Sequence, residues 1–187
     1  MASTLAFMLL CPVLLAAGVL DARTGRIPNR LTLPAAILGL VLHAGVGLAQ
    51  GGPSGLVEGA TASVLGFLAA FIPFAVIFFA GGIGGGDVKL MAAAGAIGAS
   101  WPFVLSTTVY ALLIAAGWSI VLMVRHRLVK RTLSRILGAA LTAAARVKPN
   151  LPNDSPRVPF AVGVAVGGVL AGLEHLLHLK MPWSAWT

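Results

Sequence analysis

Five carboxylates make up the whole acidic complement of this 187-residue chain: Asp21, Glu58, Asp87, Asp154 and Glu174. Chemistry that needs a carboxylate must draw on that set. Asp21 follows an apolar run directly, and Asp87 closes Gly81-Gly82-Ile83-Gly84-Gly85-Gly86, five glycines in six residues. Each has a plain structural role on its own. Asp87 can N-cap a helix starting at Val88-Lys89-Leu90, and Asp21 can pair loosely with Arg23 or Arg26 at little energetic value. Brought together, two carboxylates cannot both ionise easily: one pKa rises and the pair shares a proton. One then serves as base on a water while the other, protonated, polarises a carbonyl. That is aspartic peptidase chemistry, and it requires no metal.

The elements that carry these residues are set by composition. The chain is 58% hydrophobic and 10% charged, with a mean hydropathy of +0.97, far from the roughly 25% charged residues of soluble domains. Lipid is its solvent. Apolar runs punctuated by charges, glycine and proline predict six spanning helices, at about 4 to 20, 31 to 49, 56 to 80, 88 to 100, 103 to 124 and 158 to 178. The fold class is all-α, a polytopic membrane bundle forming a single domain over 1–187. The fourth run is short and rich in small residues, which let helix backbones approach closely in lipid, so it is expected at the centre. The first run lacks the positive start of a secretory signal and counts as a span.

Twelve of the thirteen Lys and Arg residues fall on one side of this layout, and only Lys180 on the other. The positive side is expected to be cytoplasmic, which places both termini outside and both Asp21 and Asp87 at cytoplasmic helix ends. Glu58 and Glu174 then lie toward the outer side and Asp154 in a Pro-rich loop, and all three read as solvated or helix-end groups. The net charge of +8 is spent on orientation and on anionic lipid, not on nucleic acid. The connection 125–157 opens with Val129, Leu133, Ile136, Leu137 and Leu141 at helical spacing among basic residues, the pattern of an interfacial amphipathic helix. Prolines from Pro149 to Pro159 then make it a loop.

The glycine run is a poor helix former, since each glycine costs about 1 kcal/mol against alanine. An irregular backbone is expected there, and at membrane depth such backbone is tolerated only where protein buries it or a wet cavity lies beside it. Glu174, His175 and His178 are loosely spaced on the side away from the aspartates, and His43 and His126 stand alone, so no metal and no cofactor is assigned. Cys11, the single cysteine, is read as packing.

Asp21 followed by Ile27-Pro28-Asn29, then Gly84-Gly85-Gly86-Asp87-Val88-Lys89-Leu90, closely resembles the bacterial type IV prepilin peptidases, a family of Gly-x-Gly-Asp aspartic membrane peptidases. The resemblance implies that Asp21 and Asp87 are the catalytic pair, with Ile27, Pro28, Asn29, Gly84, Gly86 and Lys89 as supporting motif residues. Val158-Pro159-Phe160-Ala161-Val162 looks like the family's Pro-aromatic-Gly helix start, with Ala161 where glycine is usual. The match covers the short peptidase core, as in the compact enzymes of tight-adherence (Flp-type) pilus systems. The paired-cysteine methyltransferase region of larger members is missing, so no N-methylation is expected.

The function implied is removal of the short basic leader of prepilin or pseudopilin proteins, by cleavage after glycine, at the cytoplasmic face of the bacterial inner membrane. Preflagellin and presenilin-like proteases share Gly-x-Gly-Asp and form a second enzyme reading, against which Ile27-Pro28-Asn29 weighs. A small ion-coupled transporter or a pilus-assembly scaffold is the reading of another class, since intramembrane acids often couple ions or pair helices.

Overall fold

The structure, a computed structural model, describes residues 2–125 and 160–177. Every element among them is an α-helix: α1 (Ala2–Thr24), α2 (Asn29–Phe79), α3 (Gly85–Gly98), α4 (Trp101–Arg125) and α5 (Phe160–Leu176). The interfacial helix expected within 125–157, together with Asp154, His126, His178 and Lys180, lies outside the described residues. Three helical stretches, Thr4–Thr24, Asn29–Phe79 and Trp101–Arg125, are long and apolar enough to cross a bilayer, and Phe160–Glu174 is a shorter apolar helix. The protein is an all-α membrane bundle. Residues 1–114 and 159–187 group into one compact unit, and of a second, 115–158, the described part is the end of α4.

The runs expected at 31 to 49 and 56 to 80 are two arms of α2, a helix of 51 residues broken at Gly52, whose φ of 63° and ψ of −147° are not helical. That corner of backbone space is essentially reserved for glycine, and Pro53 next to it suits the first turn of a new helix. Beyond the break the arms press backbone on backbone: a Cβ added at Gly55 would strike the Gly47 carbonyl, and one at Gly59 the His43 carbonyl. Gly52→Ala is expected to destabilise the protein by about 1–3 kcal/mol, read as a lower Tm in detergent with helix content intact. An unchanged Tm would show that another backbone geometry makes the same bend.

The two arms clasp α3. From Val88 to Ile97 every residue but Lys89 is buried, which places α3 at the centre as its small residues predict. Small side chains are required there because Gly39 and Gly66 of α2 lie directly against the α3 backbone. The last carbonyls of α3 have no partner within their own helix, and α2 supplies donors: Ser63 Oγ to Ala96 at 2.8 Å and His43 Nε2 to Ile97 at 2.7 Å. Ala99, left-handed at φ 50°, closes the helix with its N–H on the Gly95 carbonyl.

Helix α1 turns a stripe inward at helical spacing: Ala6, Leu10, Leu14 and Ala17, all 6% exposed or less. The next position on that stripe is Asp21. Helix α5 packs along α1 through its own small residues, with Gly18 facing Ala165, Gly168 facing Leu14 and Gly172 facing Phe7.

Candidate active site

Helix α1 runs four residues past its expected end, so Asp21 sits inside the last turn rather than after it. Gly25, at φ 61°, stops the helix with its N–H on the Asp21 carbonyl at 2.8 Å. The stripe above Asp21 is apolar and buried, so its partly buried carboxylate continues the inward face. There Oδ2 accepts the backbone N–H of Ala161 at 3.3 Å. That amide is in the first turn of α5 and is one of the donors a helix start leaves unpaired. Among the described residues no ion pair joins Asp21 to Arg23 or Arg26.

Asp87 is brought up by the end of α2 and the start of α3. The α2 chain closes with Gly81 N–H on Phe78 and Gly82 N–H on Ile77, both at 2.9 Å, with Gly81 at φ 79°. Gly84 is extended, and α3 starts at Gly85. The irregular stretch is therefore shorter than the glycine run suggests, because Gly85 and Gly86 are helical. Asp87 is not the N-cap but the third helical residue, reaching back to accept the Gly84 N–H at 3.3 Å. A carboxylate in the first turn satisfies the helix start from within, which lets glycine hold the cap position.

Asp87 stands ahead of the apolar stretch of α3 and outside the candidate membrane spans. Its pKa is raised from 3.8 to about 6, first by burial, then by the charge of Asp21, against a smaller opposing effect of the Gly84 N–H. The like-charge effect is the signature of two carboxylates that feel one another. Asp21 and Asp87, 66 positions apart in sequence, are thus electrostatically joined in the fold.

The supporting residues named from sequence gather around them. Ile27 is buried, and its side chain lies against Gly86, where an added Cβ would approach it to 3.3 Å. Pro28 is the extended residue before α2, and its carbonyl accepts the Leu31 N–H at 3.0 Å. Asn29 Oδ1 accepts a hydrogen bond from Lys89 Nζ at 2.8 Å. The residues 25–29 after α1 are thereby fastened to the helix that carries Asp87.

Two other acids are placed as follows. Glu58 is exposed. Glu174 is buried, at 6% exposure, in the last turn of α5, and accepts a hydrogen bond from Tyr110 at 3.2 Å, so of the two readings, solvated or helix-end, the solvated one is corrected and the helix-end one stands. The α4 tyrosine provides the polar partner that a buried carboxyl requires. His175's side chain and His178 lie outside what is described. A cavity of about 260 Å³ occupies the end of α3 opposite the aspartates, between Leu10, His43, Ile97, Ser100 and Phe103, with none of the site residues in its wall. The contributor that residue-type reasoning missed is the Ala161 amide, since a backbone donor carries no side-chain signal; its trace in the sequence is the Pro159-Phe160-Ala161 helix start that the resemblance picks out.

A family model for type IV leader peptidases matches residues 8–120. Leader peptidase HopD of Salmonella typhimurium is 35% identical over 110 residues, covering 59% of this chain and 70% of that protein. No solved structure matches.

Proposed function

The chain belongs to the type IV leader peptidase family, and from that premise we propose that Asp21 and Asp87 are the catalytic pair with which this membrane peptidase cuts the leader from a prepilin-type substrate. The observation that carries this reading is the raised pKa of Asp87 in the field of Asp21. A carboxyl titrating near 6 holds a proton under mildly acidic conditions, where an ordinary aspartate has lost it, which is what an acid partner must do. Asp87 donates its hydrogen bond to the scissile carbonyl, and Asp21 takes a proton from the attacking water. The C–O bond forms as the carbonyl becomes tetrahedral. The C–N bond then breaks, with the proton held by Asp21 passing to the leaving amine. The Ala161 and Gly84 amides hold the two carboxylates in orientation.

The basic residues gathered near the aspartate ends of α1, α2 and α3 support a cytoplasmic location of the site in a bacterial inner membrane, with both termini on the other side. They also support contact with anionic headgroups, at roughly 1 kcal/mol per basic residue near the surface. The substrate's apolar stem stays in the bilayer while its leader reaches the aspartates from the cytoplasmic side.

The test is cleavage of a prepilin-type substrate by the purified protein in liposomes across pH. Because the proton on Asp87 is required, kcat/KM falls as pH rises through about 6, and that limb belongs to the pair jointly. The same shift makes the fold bind this proton more tightly than the unfolded chain does. Its contribution to stability is therefore complete below 3.8 and is lost as pH rises through about 6. Activity that climbs steadily from pH 5 to pH 8 would contradict the assignment of the acid to Asp87.

A further inference from the structure

We propose that Lys89 and Asn29 form a positioning tie, which fixes the two aspartate-bearing segments against one another and keeps the lysine's charge away from the carboxylates. The tie rests on the two-aspartate reading above. Lys89 Nζ donates to Asn29 Oδ1 at 2.8 Å, across 60 residues of sequence. Asn29 opens α2 and follows Asp21 through the short link 25–28, while Lys89 is two residues past Asp87. Movement between those segments changes the separation of the pair. The Ile27 to Gly86 contact sets the spacing of the same segments nearby, and the hydrogen bond adds a direction that an apolar contact does not carry.

The identity of the partner matters as much as its position. Residues two apart on a helix do not face each other, so Lys89 departs from α3 in a direction different from Asp87, and Asn29 receives it. The charged groups on the surrounding segments are Asp21 and Arg23 of α1, Arg26 of the link, Arg30 of α2 and Lys89 itself. Among the described residues, burial, Asp21 and the Gly84 amide are the influences on Asp87, and no cation among them opposes the rise. A lysine freed from Asn29 keeps a flexible four-carbon stem and is drawn to the carboxylates, where it favours the ionised form of Asp87 and removes the proton the reaction uses. Asparagine is suited to this place because its oxygen engages the ammonium without adding a charge beside the pair.

The experiment compares wild type with Lys89→Met, Asn29→Leu, Asn29→Asp and Asp87→Asn, as full-length protein in liposomes, measuring kcat, KM and the pH profile of prepilin cleavage. Both tied residues are solvent-exposed, so the variants are expected to fold, and Asn29→Asp retains an acceptor for the lysine. Lys89→Met and Asn29→Leu are expected to lower kcat roughly tenfold through misplacement, with KM little changed. In Asn29→Leu alone the alkaline limb also moves to lower pH, by about half a unit or more. Asn29→Asp restores most of kcat. A kcat within about twofold of wild type in both Lys89→Met and Asn29→Leu, or an unmoved limb in Asn29→Leu, overturns the tie. Cleavage retained by Asp87→Asn instead overturns the two-aspartate reading on which the tie rests, so the two failures are told apart.

Discussion

Asp21→Asn and Asp87→Asn are each expected to lower leader cleavage by about 10²–10⁴-fold, the range over which general acid and base groups act, while the protein stays folded. Asparagine has the shape of aspartate and keeps an oxygen that can accept the Ala161 amide at position 21 or the Gly84 amide at position 87. What it lacks is the exchangeable proton. Stability is expected to hold or to rise slightly in Asp21→Asn, because the like charge that raises the Asp87 pKa is gone. The double variant is expected to be no slower than the worse single one, since groups that act as a unit do not contribute additively. The measurement is single-turnover cleavage in liposomes alongside thermal unfolding in detergent. Full activity in either single variant would remove that aspartate from the mechanism.

The largest effect on stability is expected at the crossing of α2 and α3. A Cβ added at Gly66 would strike the Gly95 carbonyl, and one added at Gly95 would strike the Gly66 carbonyl. Both obstacles are backbone, so no rotamer change relieves them. Overpacking in a core costs about 1–3 kcal/mol, and Gly95→Ala is expected at the top of that range, with Gly95→Leu failing to accumulate as folded protein. Activity is lost in parallel because α3 carries Asp87. Gly45→Ala is the control: nothing lies within 4 Å of its added Cβ, and alanine favours a helix, so its Tm stays level or rises. Equal Tm for Gly95→Ala and Gly45→Ala would mean the two helices can part at no cost.

Much of this architecture is legible from residue types, and the reasons differ by element. Small residues from Ala92 to Gly98 foretell a helix packed on all sides, and burial as far as Ile97 follows. The pairing of α3 with both arms of α2 is less accessible, because Gly39 and Gly66 read equally well as helix weak points until their neighbours are known. The glycine run shows only that a helix is discouraged. It cannot show that the first turn of α3 forms anyway, because a carboxylate at Asp87 supplies the acceptor for Gly84. The burial of Glu174 is not legible from sequence for a related reason: its partner Tyr110 lies 64 positions away, and an apolar run gives no warning of a polar contact inside it. The proposed pair is singled out because only five acids exist and two of them carry the Ile27-Pro28-Asn29 and Gly84-x-Gly86-Asp87 motifs beside them, whereas the amide of Ala161 belongs to a class of groups that every residue but proline possesses.

The bond between Asp21 and Ala161 has a consequence for how the enzyme is made. Residues 29–98 hold α2 and α3 together and contain Asp87, so that part of the bundle can assemble as soon as it leaves the ribosome, as local units do. Asp21 is translated earlier still, yet its amide partner comes 140 residues later. A nascent chain halted before α5 carries both aspartates while one of them lacks its anchor. With Asp21 as one of the proposed pair, leader cleavage is expected to await the docking of α5 along α1, so that a half-made chain in the membrane spares passing proteins.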